Sequence, residues 1–307
     1  MKAIQFATYG GPEVLRLVDV EEPHAGPGEV RIAVRAAGVN GFDGKVRAGY
    51  LAEQMPLTLP AGTGLDAAGV VDEVGEDVVD VEVGAAVFGS GRSTYAEFAV
   101  LTSWAAKPEG MSFEEAAGYP VPVETAIRIL DQVGVTAGQT LLVSGAAGGV
   151  GSAVVQIARA RGITVVGTAS ARNQDYLRSI GAVPTTYGDG LVDRVRGVAQ
   201  DGVDAALDIA GSGVISELIE LTGEPSKVVS IADFSAPSRA RRSRRSPRTL
   251  PVRSQRRRGC STTARCAPRS PARSPSPTPL RRRPPVRPAT SPVGSSSPSP
   301  DPLAAWV

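Results

Sequence analysis

The residues with the clearest chemistry stand at 141–151, where Leu141-Leu142-Val143-Ser144 runs into Gly145-Ala146-Ala147-Gly148-Gly149-Val150-Gly151. An apolar strand that enters a turn of small residues and opens a helix at once leaves backbone N–H groups unused at the helix tip. Small side chains there let a pyrophosphate approach the backbone, and a glycine at 151 allows helix and strand to pack closely. The spacing departs from G-x-G-x-x-G only in that Ala146 replaces the first glycine. Taken alone, such a turn is equally well an ordinary tight βα connection.

The end of the next strand separates the two dinucleotides. A carboxylate there favours the 2′-hydroxyl of NAD, whereas cationic and hydroxyl groups favour the 2′-phosphate of NADP. This chain reads Gly167-Thr168-Ala169-Ser170-Ala171-Arg172-Asn173, with no acid before Asp175. Arg172 offers a charge-assisted bond to a phosphate and Ser170 a hydroxyl donor. By itself Arg172 is an ordinary solvated arginine at a helix start; its place after this strand points to NADPH over NADH.

Metal chemistry finds few donors. Cys260 and Cys266 are the only cysteines, and His24, between Pro23 and Pro27 with no evident partner, is the only histidine. A catalytic zinc takes about three protein ligands, so none is expected.

The elements that must hold these residues fall into two patterns. Val30–Ala36, Ala68–Val74 and Tyr95–Val100 alternate at period two among frequent Gly and Pro, as short strands of a small barrel do. Ser112 with Glu114 and Glu115 has the composition of a helix start, and a helix over 124–133 follows Pro122. Strands at 141–144, 164–167, 203–209 and 227–231 then alternate with helices at 150–161, 173–180 and 214–221. Such alternation implies a parallel sheet covered on both faces.

Charge divides the chain again. Residues 1–237 carry 16 Lys+Arg and 30 Asp+Glu, a net −14, and residues 238–307 carry 17 Arg and the single acid Asp301, a net +16, which together give the whole-chain +2. The acidic part offers no surface for nucleic acid. The basic part contains 14 Pro and few large apolar residues. It cannot offset roughly 1–2 kcal/mol of backbone entropy per ordered residue, and is expected to be disordered. Its Arg, Pro, Ser and Ala composition matches GC-rich DNA read in the wrong frame, which places a frameshift near codon 237. The alternative is an Arg-rich tail that grips phosphates, though no aromatic residue lies among the arginines. Nothing at the start reads as a signal peptide, and no run of about 18 apolar residues could span a membrane. The cytoplasm is the expected location.

Further pieces follow in order: Ala37-Gly38-Val39-Asn40 with Asp43 and Arg47, Gly64-Leu65-Asp66-Ala67-Ala68-Gly69-Val70-Val71, Tyr95-Ala96-Glu97-Phe98, Glu115-Ala116-Ala117, Thr125-Ala126 and Val155-Gln156-Ile157-Ala158. With the loop Ala146–Gly151, in which alanine is usual, residues 1 to about 237 resemble the zinc-free quinone oxidoreductases of the medium-chain dehydrogenase/reductase superfamily. Relatives that use zinc carry a cysteine near Asn40 and a His-Glu pair where this chain has Asp66-Ala67.

The resemblance implies an α/β fold with a β-rich second domain. Residues 1–115 would form a GroES-like barrel and 116–237 a Rossmann domain with a doubly wound parallel sheet, followed by the disordered tail 238–307. Relatives add another strand–helix portion, then close the first domain with a final strand. That segment is missing here, which should expose a strand edge and make the chain poorly soluble. The implied activity is hydride transfer from NADPH to a quinone, an enone or another activated alkene, in the cleft between the domains. Gly148, Gly149 and Val150 would contact the pyrophosphate, and Ser170, Arg172 and Tyr187 would hold the 2′-phosphate end. Thr125 would lie near the nicotinamide, with Asn40 and Tyr50 near the substrate. Each has a plainer role as well: Thr125 as a helix residue, Asn40 as a turn former, Tyr50 as barrel packing. With no metal or histidine to act as general acid, transfer would depend on holding donor and acceptor at near-attack distance. Solvent or Tyr50 would give the proton. A non-catalytic NADPH-binding sensor and an inactive frameshifted product remain the alternatives. Relatives often dimerise through the portion absent here.

Overall fold

The computed structural model describes residues 1–233 and the backbone of Arg241–Arg242. Apart from that pair, the tail 238–307 lies outside the described residues.

In chain order the first half contains β1 (Lys2–Phe6), β2 (Arg16–Asp19), β3 (Val30–Gly38), α1 (Gly41–Arg47), β4 (Ala61–Gly62), β5 (Asp66–Val74), β6 (Ala86–Arg92), β7 (Phe98–Ala106) and α2 (Phe113–Ala117). Alternation in β3 and β5 turns Val30, Ile32, Ala67 and Val71 inward, where they meet Val87, Ala99 and Leu101. Burying that stripe curls β3, β5, β6 and β7 into a closed barrel, while β2, β1 and β4 form a separate small sheet. The ring closes by antiparallel pairing of β3 with β7, from Val30↔Leu101 to Ala33↔Phe98.

The strand expected at Tyr95–Val100 lies further along, at Phe98–Ala106. Its first part pairs with β3 and its later part with β6, with a register shift at Ser90/Gly91, so one long strand serves two neighbours. Tyr95 stays outside it. Ser112 caps α2 reciprocally with Glu115. Ala116 and Ala117 pack on Ala68 and Phe88, so the barrel's packing continues to residue 117.

The second half contains α3 (Pro120–Val133), β8 (Thr140–Ser144), α4 (Gly149–Ala160), β9 (Thr164–Thr168), α5 (Gln174–Ser179), β10 (Val183–Thr185), α6 (Leu191–Val198), β11 (Ala205–Asp208), α7 (Ile215–Thr222), β12 (Val228–Ser230) and β13 (Arg241–Arg242). The sheet is parallel, in the order β10-β9-β8-β11-β12-β13. Neighbouring side chains point to opposite faces. Leu141, Val143, Val165, Leu207 and Val229 pack under α3 and α4. Leu142, Val166, Ala206 and Val228 pack under α6 and α7. This is the doubly wound arrangement.

Three details depart from the sequence pattern. The helix expected from Glu124 begins at Pro120, because first-turn residues need no N–H and tolerate proline. The three-residue β10 and the eight-residue α6 are not expected from the sequence, since windows so short hold about one strand repeat or two helical turns. Arg241–Arg242 extend the sheet beside β12, although disorder is expected from residue 238. Backbone pairing along an exposed strand edge requires no apolar side chain. No helix among the described residues is long and apolar enough to cross a membrane.

Candidate functional site

The sheet reverses direction at β8: β9 and β10 extend it one way, β11 and β12 the other. Parallel sheets of this kind bind ligands outside the carboxyl ends of the strands at that reversal. Ser144, at the end of β8, stands in register with Thr168 of β9 and with Asp208 of β11.

Thr168 holds the turn that follows. Its carbonyl accepts from Ala146 N–H at 3.0 Å and its Oγ1 from Gly145 N–H at 3.3 Å. Glycines then permit close approach. A Cβ on Gly151 would collide with Gly145 O and stand 2.7 Å from Ala146 Cα, and one on Gly167 would stand 2.8 Å from Ala146 Cβ. Gly148 and Gly149 differ. Both are exposed, and a Cβ there would meet only Gly145 O at 3.5 Å or Pro122 Cγ at 3.8 Å. Gly148 caps α4 with no side-chain bond, and Ser152 N–H to Gly148 O, 2.8 Å, is the helix's first bond. The N–H groups of Gly149, Val150 and Gly151 precede it. They make an open cradle for an anion, flanked by Pro122 of α3.

The 2′-phosphate candidates lie beside this cradle. β10 pairs with β9 at Thr185↔Thr168, so Ser170 and Tyr187, each two residues beyond, leave the sheet at the same level. Ser170 Oγ is buried and has no hydrogen-bond partner. Arg172 is exposed and forms no ion pair among the described residues. Asp175, the first acid after β9, is taken by Arg178 at 2.6 Å. Tyr187 borders a cavity of about 320 Å³ that Ser212, Val214 and Glu217 close from the far side.

The candidates on the barrel lie around Asn40 and Asp66. Asn40 caps α1: its Oδ1 accepts from Phe42 N–H at 2.8 Å and Asp43 N–H at 3.3 Å, and its Nδ2 donates to Asp66 Oδ2 at 3.3 Å. Asp66 is buried, and its Oδ1 accepts from Val121 N–H at 2.8 Å, in the first turn of α3. One carboxyl therefore ties the barrel to the helix that carries Thr125. Burial pushes it up to about 7, aided by the Asp43 charge and opposed by the two donors. Tyr95 donates to buried Asp43 at 2.8 Å, and burial together with that bond raises its phenol. Thr125 is buried one turn beyond Pro122, with its hydroxyl 3.5 Å from Glu124. Tyr50 is 75% exposed after α1. The turn-forming role of Asn40 is thus realised, and Tyr50 is not packed into the barrel.

Sequence reasoning missed Pro122 and Asp66. Proline at 122 reads as a helix boundary, and an aspartate within an apolar run carries no sign of its partners. His24, expected without a partner, meets Glu73 at 3.2 Å on the surface. Among the described residues no group of three or more His, Cys, Asp or Glu could hold a metal ion.

Comparison with known proteins matches this geometry. Residues 26–117 fit the family described as alcohol dehydrogenase GroES-like domain, and residues 149–264 the family described as zinc-binding dehydrogenase. Quinone oxidoreductase from Sus scrofa is 34% identical over 239 residues, which cover 75% of this chain and 72% of the relative. The chain belongs to the quinone oxidoreductases of the medium-chain dehydrogenase/reductase superfamily. Among solved structures, the Coxiella burnetii quinone oxidoreductase superposes with a TM-score of 0.68 at 34% identity, covering 77% of each chain. The Escherichia coli quinone oxidoreductase complexed with NADPH gives 0.67 at 27% identity, over 75% of this chain and 72% of that one. The family is one of oxidoreductases. Its second match extends beyond residue 237, where the resemblance read from sequence stops.

Proposed function

We propose that this chain binds NADPH and delivers its hydride to a quinone, an enone or another activated alkene, without zinc. The observation that carries the proposal is the open glycine cradle at the uncapped tip of α4, with the unpartnered Ser170 hydroxyl after the next strand. Gly148, Gly149 and Val150 would hold the pyrophosphate on backbone N–H groups. Ser170, Arg172 and Tyr187 would hold the 2′-phosphate end, and the segment from β9 to Gln174 contains no acid. The NADPH-bound Escherichia coli relative supports the same nucleotide.

When bound, NADPH supplies the hydride. The chain's part is to position and to shield. Thr125 and Pro122, on the first turns of α3, would border the nicotinamide, and Asn40 would face the substrate from the barrel, with residues 1–115 on the substrate side and 116–237 on the cofactor side. Tyr50, exposed, or solvent would give the proton that completes reduction. The metal-free reading rests on donor chemistry. Residues 1–237 contain no cysteine, and the Asp66 oxygens are taken by Val121 N–H and Asn40. We place this chemistry in the cytoplasm, on a small diffusible substrate.

The test is titration of the full chain with NADPH and NADH, followed by NADPH oxidation against benzoquinones, naphthoquinones and cyclic enones. Tighter binding of NADPH and turnover of at least one acceptor are expected. No affinity for either nucleotide refutes the proposal; tight binding without turnover leaves a sensor.

A further inference from the structure

Two side chains with no evident role in the sequence hold the loops around Ser170, Arg172 and Tyr187. Gln174 opens α5, and its Nε2 donates to Ala169 O at 3.0 Å, Ser170 O at 3.2 Å and Thr185 O at 3.1 Å. Three carbonyl oxygens converge on one amide nitrogen. A half-turn of the amide would set its oxygen against three acceptors, so the environment fixes its orientation. Two of these carbonyls belong to the segment that carries Ser170 and Arg172. The third belongs to the residue two before Tyr187.

Arg194 of α6 grips the second segment from the other side. Its Nε and Nη2 donate to Thr186 O at 3.3 and 3.2 Å, and Nη2 also reaches Tyr187 O at 3.2 Å and Gly188 O at 3.0 Å. Its Nη1 donates to Asp189 O at 2.6 Å. A guanidinium is thereby devoted to the backbone of one loop, and carries no ion pair among the described residues.

Neither side chain caps its helix: α5 and α6 both begin without a side-chain cap bond. Their donors go instead to the two loops, the first of which carries the unpartnered, buried Ser170 hydroxyl and the exposed Arg172. Loops ordered before a ligand arrives lose less entropy on binding it, and that gain falls on the groups they carry. We infer that Gln174, supported by Arg194, is a positioning residue for cofactor selection, which sets Ser170, Arg172 and Tyr187 as one receptor for a ribose 2′-phosphate. The inference rests on the NADPH reading above.

The experiment compares two fragments that differ only in that phosphate. Isothermal titration of the full chain with adenosine 2′,5′-bisphosphate and with 5′-AMP gives a Kd ratio, expected to be at least about tenfold in the unaltered chain, as one charged hydrogen-bonding cluster supplies. In Gln174→Leu the ratio should fall about tenfold while 5′-AMP affinity stays within about twofold. Arg194→Met should move it in the same direction, and decides by the same criteria if Gln174→Leu does not fold. An unchanged ratio, or equal weakening of both fragments as general loosening would give, overturns the inference. A ratio near one in the unaltered chain instead refutes the NADPH reading, and the inference falls with it.

Discussion

Asp66 gives the chain a pH dependence of unusual sign. Its carboxyl is buried between β5, Asn40 and the first turn of α3, with Asp43 and Tyr95 close by, and stands at about 7. The ordinary aspartate value is about 3.9. In the unfolded chain the proton leaves near pH 4, whereas the folded chain keeps it until about pH 7. The folded state thus binds the extra proton, and stability falls as pH rises through that window, then levels off. At 1.36 kcal/mol per tenfold change, the whole loss is about 4 kcal/mol, of which about 2.5 kcal/mol falls between pH 5 and 8. Asp66→Asn keeps an acceptor for Val121 N–H but has nothing to titrate. It presents an NH2 to the Asn40 amide as well, a pH-independent loss of about 1–3 kcal/mol. The pH dependence therefore carries the information. Urea unfolding of both chains at pH 5, 6, 7 and 8 should show their midpoints converge or cross by roughly 1 M as pH rises. A difference that is flat across the range would show that Asp66 ionises like a surface aspartate, and would falsify the burial argument.

Other substitutions probe the frame around the site. Gly151→Ala forces a methyl group against Gly145 O and Ala146 Cα; destabilisation of about 2 kcal/mol or more is expected in urea unfolding, and a neutral result would mean that the turn moves freely. Tyr95→Phe removes the hydroxyl that donates to Asp43 at 2.8 Å, and should lower stability by about 1–3 kcal/mol, since Asp43 stays buried with one donor fewer. Ser112→Ala breaks the capping box of α2 and should lower the thermal midpoint by an amount equivalent to about 1 kcal/mol, with Ser112→Thr largely restoring it.

How much of this was legible in the sequence depends on what kind of force fixed each part. Strands β8, β9, β11 and β12 are fixed by burial on two faces, and burial leaves continuous apolar runs that can be read directly. The turn at Gly145–Gly151 is fixed by backbone proximity, which leaves glycines. The start of α3 is hidden in the sequence because Pro120 and Pro122 read as breaks, although a helix's first turn tolerates them. The alternation at 95–100 reads as strand from Tyr95 on, but the Tyr95 backbone bonds to Ile4 N–H and Thr63 O instead of joining β7's ladders. The contacts of Gln174, Arg194 and Asp66 were invisible. Asp66 bonds to backbone 55 residues away, whereas Gln174 and Arg194 bond to the backbone of the loops beside their helices, and such pairings have no period. The residues proposed to touch ligand are therefore easier to find than those that hold them in place.

The glycines of the turn are glycine for two unrelated reasons. At 151 and 167 the surrounding atoms already fill the space of a side chain, and at 145 the backbone takes a φ of +86° that side chains rarely adopt, so an alanine at any of the three reports on the fold alone. At 148 and 149 only a visiting molecule could compete for that volume. Alanine at either position would meet no atom of the protein closer than 3.5 Å, so a loss of affinity there reports the volume of whatever docks, which makes those two positions a measuring device for an occupant before its identity is known.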